Sequence, residues 1–319
     1  MTTMRERVTQ VNEGKREKSG LPARRRRMTI PMSLAALLCV AMLRLAVAAP
    51  LPEIVHFPSL DEWGGDQPLI LDGYYFRPET QGPAPAVVML HGCAGAVSSR
   101  TGRLTSRFVN MTALLNKMGY AVLVVDSFNP RGVPQICTIP FKDRKIRNIH
   151  RVRDAYGALA YLEGRPDIVH GKIGVIGFSH GGSGALSVMD STLEPYRESG
   201  RGFAASVAMY PGCGYQLRKK PEFSAYAPLL ILVGEKDDWT PAESCVSLAA
   251  RSRSRDEPVD IVVYPGAYHG FDETQEVHVR MGVANGVNGD AGTHVGGNPE
   301  ARKAAYARIR EFFKQYLRP

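Results

Sequence analysis

Ser179 sits in the run Gly177-Phe178-Ser179-His180-Gly181, after a short apolar stretch and before a Gly/Ala-rich one. A strand-to-helix turn that sharp strains its central residue and crowds the positions two away. Glycine is therefore needed on both sides, and the serine hydroxyl is left exposed at a helix N-terminus. The chemistry this implies is nucleophilic, because a hydroxyl gains reactivity once a base takes its proton and a carboxylate orients that base. Both groups are available downstream. One apolar run ends in Gly234-Glu235-Lys236-Asp237-Asp238-Trp239-Thr240-Pro241, where Asp237 is favoured as the acid and Asp238 competes with it. Another ends in Pro265-Gly266-Ala267-Tyr268-His269-Gly270-Phe271 and offers His269 as the base. The chain order is then nucleophile, acid, base, each after a separate strand.

Acyl transfer also needs N–H donors where negative charge develops. The amide of His180, which follows the nucleophile, is one. The loop His91-Gly92-Cys93-Ala94-Gly95 offers the amide of Cys93 as the second. The side chains of His91 and His180 read as groups that bond the local backbone. Arg131 is placed to recognise a substrate carboxylate, whereas the basic segment around it, 131–153, otherwise reads as a solvated helix face. Trp239 and Tyr210, with Phe128 and Tyr215, follow strand ends and are candidates to line a substrate pocket. Residues 282–299, rich in Gly and Asn, read as a mobile loop that could serve as a lid.

These groups need elements to hold them. Apolar runs at 69–76, 86–90, 121–126, 173–177, 204–210, 229–233 and 260–264 read as strands buried on both faces of a parallel sheet. Helical spacing links Phe108, Met111, Leu115 and Met118, then Ile149, Val152, Tyr156 and Leu159, the second stopping at Gly164. Ala305, Ile309, Phe312 and Tyr316 share one face of a closing helix. Alternating strands and helices without an internal repeat predict one α/β domain with a mostly parallel sheet, its site at the carboxyl ends of the strands.

The chain has 319 residues, 44% of them hydrophobic, which excludes a disordered, collagenous or small disulfide-stapled class. Its formal charge of +9 is concentrated in 1–48, where ten Lys/Arg oppose three Glu. A basic run at 24–27, an apolar stretch at 28–43 and Ala46-Val47-Ala48 read as a signal peptide cut after Ala48. The apolar stretch is shorter than the ~20 residues that span a bilayer, so no stable membrane span is expected after its removal. The rest of the chain is nearly neutral, and a nucleic-acid partner is not expected. An N-terminal segment at 49–65 and a catalytic domain at 66–319 follow, in the periplasm or outside the cell. There the even count of Cys93, Cys137, Cys213 and Cys245 allows two disulfides. Cys213 and Cys245 follow neighbouring strands, which suggests Cys213–Cys245 and Cys93–Cys137 among three possible connectivities. No zinc-type spacing is present, and neither a metal nor a cofactor is expected.

Taken together, His91-Gly92 after a strand, Gly177-Phe178-Ser179-His180-Gly181-Gly182, Gly234-x-x-Asp237-x-x-x-Pro241 and Tyr268-His269-Gly270-Phe271 resemble the dienelactone hydrolase family of the α/β-hydrolase superfamily, over roughly 66–318. The resemblance implies an α/β-hydrolase fold with helices on both faces of the sheet, and its Gly-x-x-Asp-x-x-x-Pro spacing favours Asp237 as the acid. The family's founding enzymes use cysteine as nucleophile to open a dienelactone. With Ser179 in that position, the resemblance implies an exported serine esterase or lactonase acting on a small-molecule ester or lactone. One alternative is a prolyl-oligopeptidase-type peptidase or amidase, although only about 20 residues precede the first predicted strand where a propeller-sized region would be expected. Another is a non-catalytic binding protein on a hydrolase scaffold, which would usually have lost one of the three residues.

Overall fold

The computed structural model describes residues 51–318. Its strands are β1 (Glu53–Pro58), β2 (Ile70–Phe76), β3 (Ala84–Leu90), β4 (Ala121–Asp126), β5 (Ile168–Phe178), β6 (Ala205–Met209), β7 (Leu229–Gly234), β8 (Val259–Tyr264), β9 (His278–Arg280) and β10 (Thr293–Val295). The α-helices are α1 (Ser106–Lys117), α2 (Asn148–Glu163), α3 (His180–Ser187), α4 (Glu194–Ser199), α5 (Gly214–Arg218), α6 (Ala242–Arg253) and α7 (Pro299–Tyr316). The first eight strands form one sheet in the order β1-β2-β4-β3-β5-β6-β7-β8, antiparallel at β1, β2 and β4 and parallel from β4 to β8.

β3 and β4 are buried along their whole length because the sheet is covered on both faces. Ala86, Val88, Leu90, Leu123 and Val125 join a layer with Val152 and Leu159 of α2, Leu186 of α3 and Leu248 of α6. Val87, Met89, Val122 and Val124 point the other way, to Phe108 and Met111 of α1 and Ile309 and Phe313 of α7. A strand's period of two thus turns one continuous apolar run into two cores. α7 starts where Asn298 Oδ1 accepts the Ala301 N–H at 3.1 Å with Pro299 in the first turn, and its buried stripe includes Ala301, Ala305, Ile309 and Phe312.

Three sequence expectations change. The sheet begins within the segment set apart as 49–65, since β1 pairs with β2 and buries Val55 and Phe57 while Ile54 stays exposed. The basic segment 131–153 is solvated only in part: Lys142, Lys145 and Arg147 are exposed, but Arg131, Arg144 and Arg151 are buried. The region read as a mobile loop carries β10, which pairs antiparallel with β9. Among the described residues no helix is long and apolar enough to cross a membrane. The expected signal peptide lies outside the described residues.

Candidate active site

Ser179 closes β5 and caps α3 with φ 54° and ψ −115°, a conformation L-residues rarely hold. The glycines around it permit the turn. A Cβ on Gly177 would run into the Gly181 carbonyl, one on Gly181 into the carbonyls of Leu90 and His91, and one on Gly182 into that of Met209. The Ser179 N–H donates to Met209 O at 3.0 Å, which ties the strained turn to β6.

His269 follows β8 and is 4% exposed. Its Nε2 lies 2.9 Å from Ser179 Oγ and its Nδ1 lies 2.8 Å from Asp237 Oδ2. A carboxylate only accepts, so Nδ1 carries the proton and Nε2 is left to accept from the hydroxyl. Asp237 is pinned in turn. Its Oδ1 accepts the N–H groups of Trp239 and Thr240 at 2.9 and 2.8 Å, and its Oδ2 accepts the Thr240 hydroxyl at 3.0 Å. Asp238 points elsewhere: its carboxylate accepts the His294 N–H at 2.9 Å, meets His294 Nδ1 at 2.7 Å and accepts Asn288 Nδ2 at 2.7 Å. These bonds tie Asn288 and His294 to the loop that carries the acid.

The turn after β3 lies against the elbow, where a Cβ on Gly92 would sit 3.5 Å from Ser179 Cβ. Among the described residues neither the Cys93 nor the His180 amide has an acceptor. Cys93 is bonded to Cys137, and Cys213 to Cys245. The Cys93 carbonyl also accepts the Ile136 N–H at 2.8 Å. His91 bonds the local backbone as read from the sequence, through Nδ1 to Gly92 O at 2.8 Å. The His180 ring does not: its buried Nδ1 has no partner among the described residues. Burial, with the charges of Arg151 and Arg144, pushes the His180 pKa well below 6.5 and keeps the ring neutral.

A cleft of about 470 Å³ opens over Ser179 and His269, a size that suits a small molecule. Trp239 and Tyr210 border it and flank the His269 ring, each with its centroid 4.8 Å away. The Tyr210 hydroxyl is already engaged, donating to Asp272 Oδ1 at 2.7 Å. Phe128 is buried against His91 and Tyr215 is 63% exposed on α5, so neither lines the cleft.

Arg131 is a correction. Its side chain is fully buried in an ion-pair cluster and is not part of the cleft lining. Its Nη1 and Nη2 reach the two Asp154 oxygens at 2.9 and 2.8 Å, and Nη2 reaches Asp61 Oδ2 at 2.7 Å. Two buried carboxylates need a cation, and that need fixes the arginine.

Three features escaped the sequence reading. Thr240, in sequence only a spacer between Asp237 and Pro241, secures the acid through its N–H and hydroxyl. Arg107 pairs with Asp272 at 3.0 Å and Glu273 at 2.6 Å, forming a cleft wall whose acids lie over 160 positions away in the chain. Arg280, at the end of β9, is exposed at the mouth with its guanidinium carbon 5.6 Å from the Trp239 ring centre. Among the described residues it is the cleft arginine without a carboxylate partner. No group of three or more His, Cys, Asp or Glu among the described residues is disposed to hold a metal ion.

The sequence model of the dienelactone hydrolase family matches residues 71–317. A Bradyrhizobium sp. protein named for 2-oxo-3-(5-oxofuran-2-ylidene)propanoate lactonase activity is 26% identical over 218 residues, 63% of this chain and 78% of that protein. A Klebsiella pneumoniae structure named for dienelactone hydrolase superposes with a TM-score of 0.58 at 20% identity, covering 83% of this chain and all of that one. An esterase from Thermogutta terrifontis with propionate bound gives a TM-score of 0.56 at 14% identity, over 87% of this chain and 99% of that one. At those identities the two structures establish the shared α/β-hydrolase fold.

Proposed function

The chain belongs to the dienelactone hydrolase family, and from that premise we propose that it is an exported serine hydrolase that cleaves a small-molecule ester or lactone through an acyl-enzyme on Ser179. The observation that carries the reading is the unbroken chain from Ser179 Oγ to His269 Nε2 at 2.9 Å and from His269 Nδ1 to Asp237 at 2.8 Å. In the first step Oγ attacks the substrate carbonyl carbon while Nε2 takes its proton. The carbonyl π pair moves onto oxygen, where the Cys93 and His180 amides donate to it. The resulting imidazolium is stabilised by Asp237, which stays ionised. Collapse expels the alcohol oxygen, protonated by His269. In a lactone that alcohol remains attached to the acyl chain. Water then attacks the acyl-enzyme with His269 as base, releasing the acid and restoring Ser179.

Arg280 narrows the substrate. An exposed arginine over an indole face, with Asp272 and Glu273 both occupied by Arg107, favours an ester or lactone that itself carries a carboxylate. The Bradyrhizobium relative is named for a substrate of that kind, a furanone bearing a propanoate. Export is supported by the signal-like residues 1–48 and by two disulfides, which persist in oxidising compartments.

The test is turnover of short-chain 4-nitrophenyl esters, neutral and carboxylate-bearing, beside aminoacyl anilides. Ester hydrolysis that disappears in Ser179→Ala, with anilides inert, is the expected result. Preferential anilide cleavage would replace the esterase reading by a peptidase one.

A further inference from the structure

Arg151 is fully buried on α2, beneath the turn that presents Cys93. A Cβ on Gly184 of α3 would meet the Arg151 Cβ at 3.2 Å, so the small residue there lets the two helices approach and brings the guanidinium under the site. Among the described residues no carboxylate pairs with it. Its partners belong to His91: Nη1 lies across the ring, 3.1 Å from Nε2 and 3.3 Å from Nδ1, and Nη2 donates to His91 O at 3.0 Å. The Phe128 ring centre lies 5.3 Å from its guanidinium carbon and offers a π face to the charge. Burial brings the Arg151 pKa down to about 10, which still leaves it a cation at neutral pH.

The partners fix the state of His91. Its Nε2 accepts the Ser127 N–H at 3.1 Å. Nδ1 faces Gly92 O, which can only accept. The ring is therefore neutral with its proton on Nδ1. Burial first, then the charge of Arg151, holds the His91 pKa well below 6.5. Gly92 O and the Cys93 N–H belong to one planar trans peptide and point in opposite directions. When His91 holds the carbonyl on one side, the Cys93 N–H is aimed to the other.

We infer that Arg151 is a positioning residue for acyl transfer: by clamping both the ring and the carbonyl of His91, it fixes the Gly92–Cys93 peptide so that the Cys93 amide is set to meet the developing oxyanion. The inference rests on the Ser179 acyl-enzyme reading and extends it to a residue that touches neither substrate nor nucleophile. Loss of the clamp should weaken binding of the tetrahedral state and spare that of the ground state.

The experiment compares wild type, Arg151→Met and Arg151→Lys for kcat and KM on 4-nitrophenyl acetate, for inhibition by an alkyl trifluoromethyl ketone, and for Tm. Ser179 Oγ adds to that ketone, its proton passes to His269, and the carbonyl oxygen becomes a hemiketal oxyanion that needs the same donors. The expected result for Arg151→Met is a kcat lower by roughly ten- to a hundredfold, the scale of a mis-set oxyanion donor. KM stays within about twofold, the ketone Ki rises by the same factor as kcat falls, and Tm is maintained because an unpaired buried charge has been removed. Arg151→Lys keeps one donor and recovers part of both losses; should the Met variant not fold, the same proportionality is read on Lys. Unchanged kcat and Ki in the folded variant, or a kcat loss without a matching rise in Ki, overturns the inference. Ser179→Ala run in parallel separates the two levels: activity that survives it removes the underlying reading, whereas activity lost there but kept in Arg151→Met removes this inference alone.

Discussion

Asp238 faces His294 across 2.7 Å, so of two adjacent aspartates it is Asp237 that turns toward His269. The division of labour predicts opposite consequences for two otherwise similar substitutions. Asp237→Asn places an amide opposite the imidazole and disturbs its tautomer, and kcat should fall on the order of 10⁴-fold. Asp238→Asn weakens the anchoring of 288–294 and should lower kcat by less than about tenfold while raising proteolytic sensitivity in that stretch. Steady-state kinetics on one ester, with limited proteolysis, distinguishes the two; equal losses would contradict the assignment.

Arg131 is predicted to matter for stability and not for the substrate. Arg131→Met leaves Asp61 and Asp154 without their cation and should cost about 3–5 kcal/mol in denaturant unfolding, with KM for carboxylate-bearing and neutral esters unchanged. The pH dependence has a definite sign. Burial alone would raise the Asp61 pKa, but the hydrogen bond from Arg131 and the charges of His150, Arg131 and Arg153 together outweigh it and hold the group below 3.8. A depressed carboxylate contributes stability above its unfolded value and loses it as pH falls through the folded one. The wild type should therefore lose stability below about pH 4 more steeply than Arg131→Met.

Arg280→Ala should raise KM for carboxylate-bearing esters about fivefold, near the 1 kcal/mol scale of an exposed ion pair, and leave neutral esters unaffected. The difference should shrink in high salt, because a charge at the cleft mouth is screened. Equal changes for both ester classes would remove Arg280 from substrate recognition.

The two disulfides close separations of 44 and 32 residues, and by loop entropy each contributes about 4 kcal/mol. Their effects on turnover should differ. Replacing Cys93 and Cys137 with serine frees the turn that carries the Cys93 amide and should lower kcat as well as Tm. Replacing Cys213 and Cys245 should lower Tm alone. Thermal unfolding and kcat measured on both double variants check this.

What was legible in the sequence follows from how local the constraint is. The turn at Ser179 demands Gly177 and Gly181 by sterics within five residues, and continuous apolar runs such as 86–90 mark strands covered on both sides. The family assignment and the α/β-hydrolase fold were readable from those motifs and runs. Arg131 was misread because its partner Asp61 lies 70 positions away, and a buried arginine looks the same in sequence as one facing substrate. A signal did exist in α2, where Arg151 and Asp154 interrupt an otherwise apolar face that includes Val152, Ala155 and Leu159. The three-residue strands β9 and β10 are hidden by the Gly- and Asn-rich stretch between them, and β10 is held from a distance, by His294 bonding Asp238. β1 was missed because Val55 and Phe57 alternate with polar residues beside a proline in too short a run.

The central claim is that Ser179 is the nucleophile and is activated through His269. The most direct measurement is covalent labelling by a fluorophosphonate, read by intact mass and by peptide mapping. One adduct per chain on Ser179 is predicted for the wild type, with none on Ser179→Ala and strongly slowed labelling of His269→Ala. An adduct that persists in Ser179→Ala, or maps to another residue, would contradict the account.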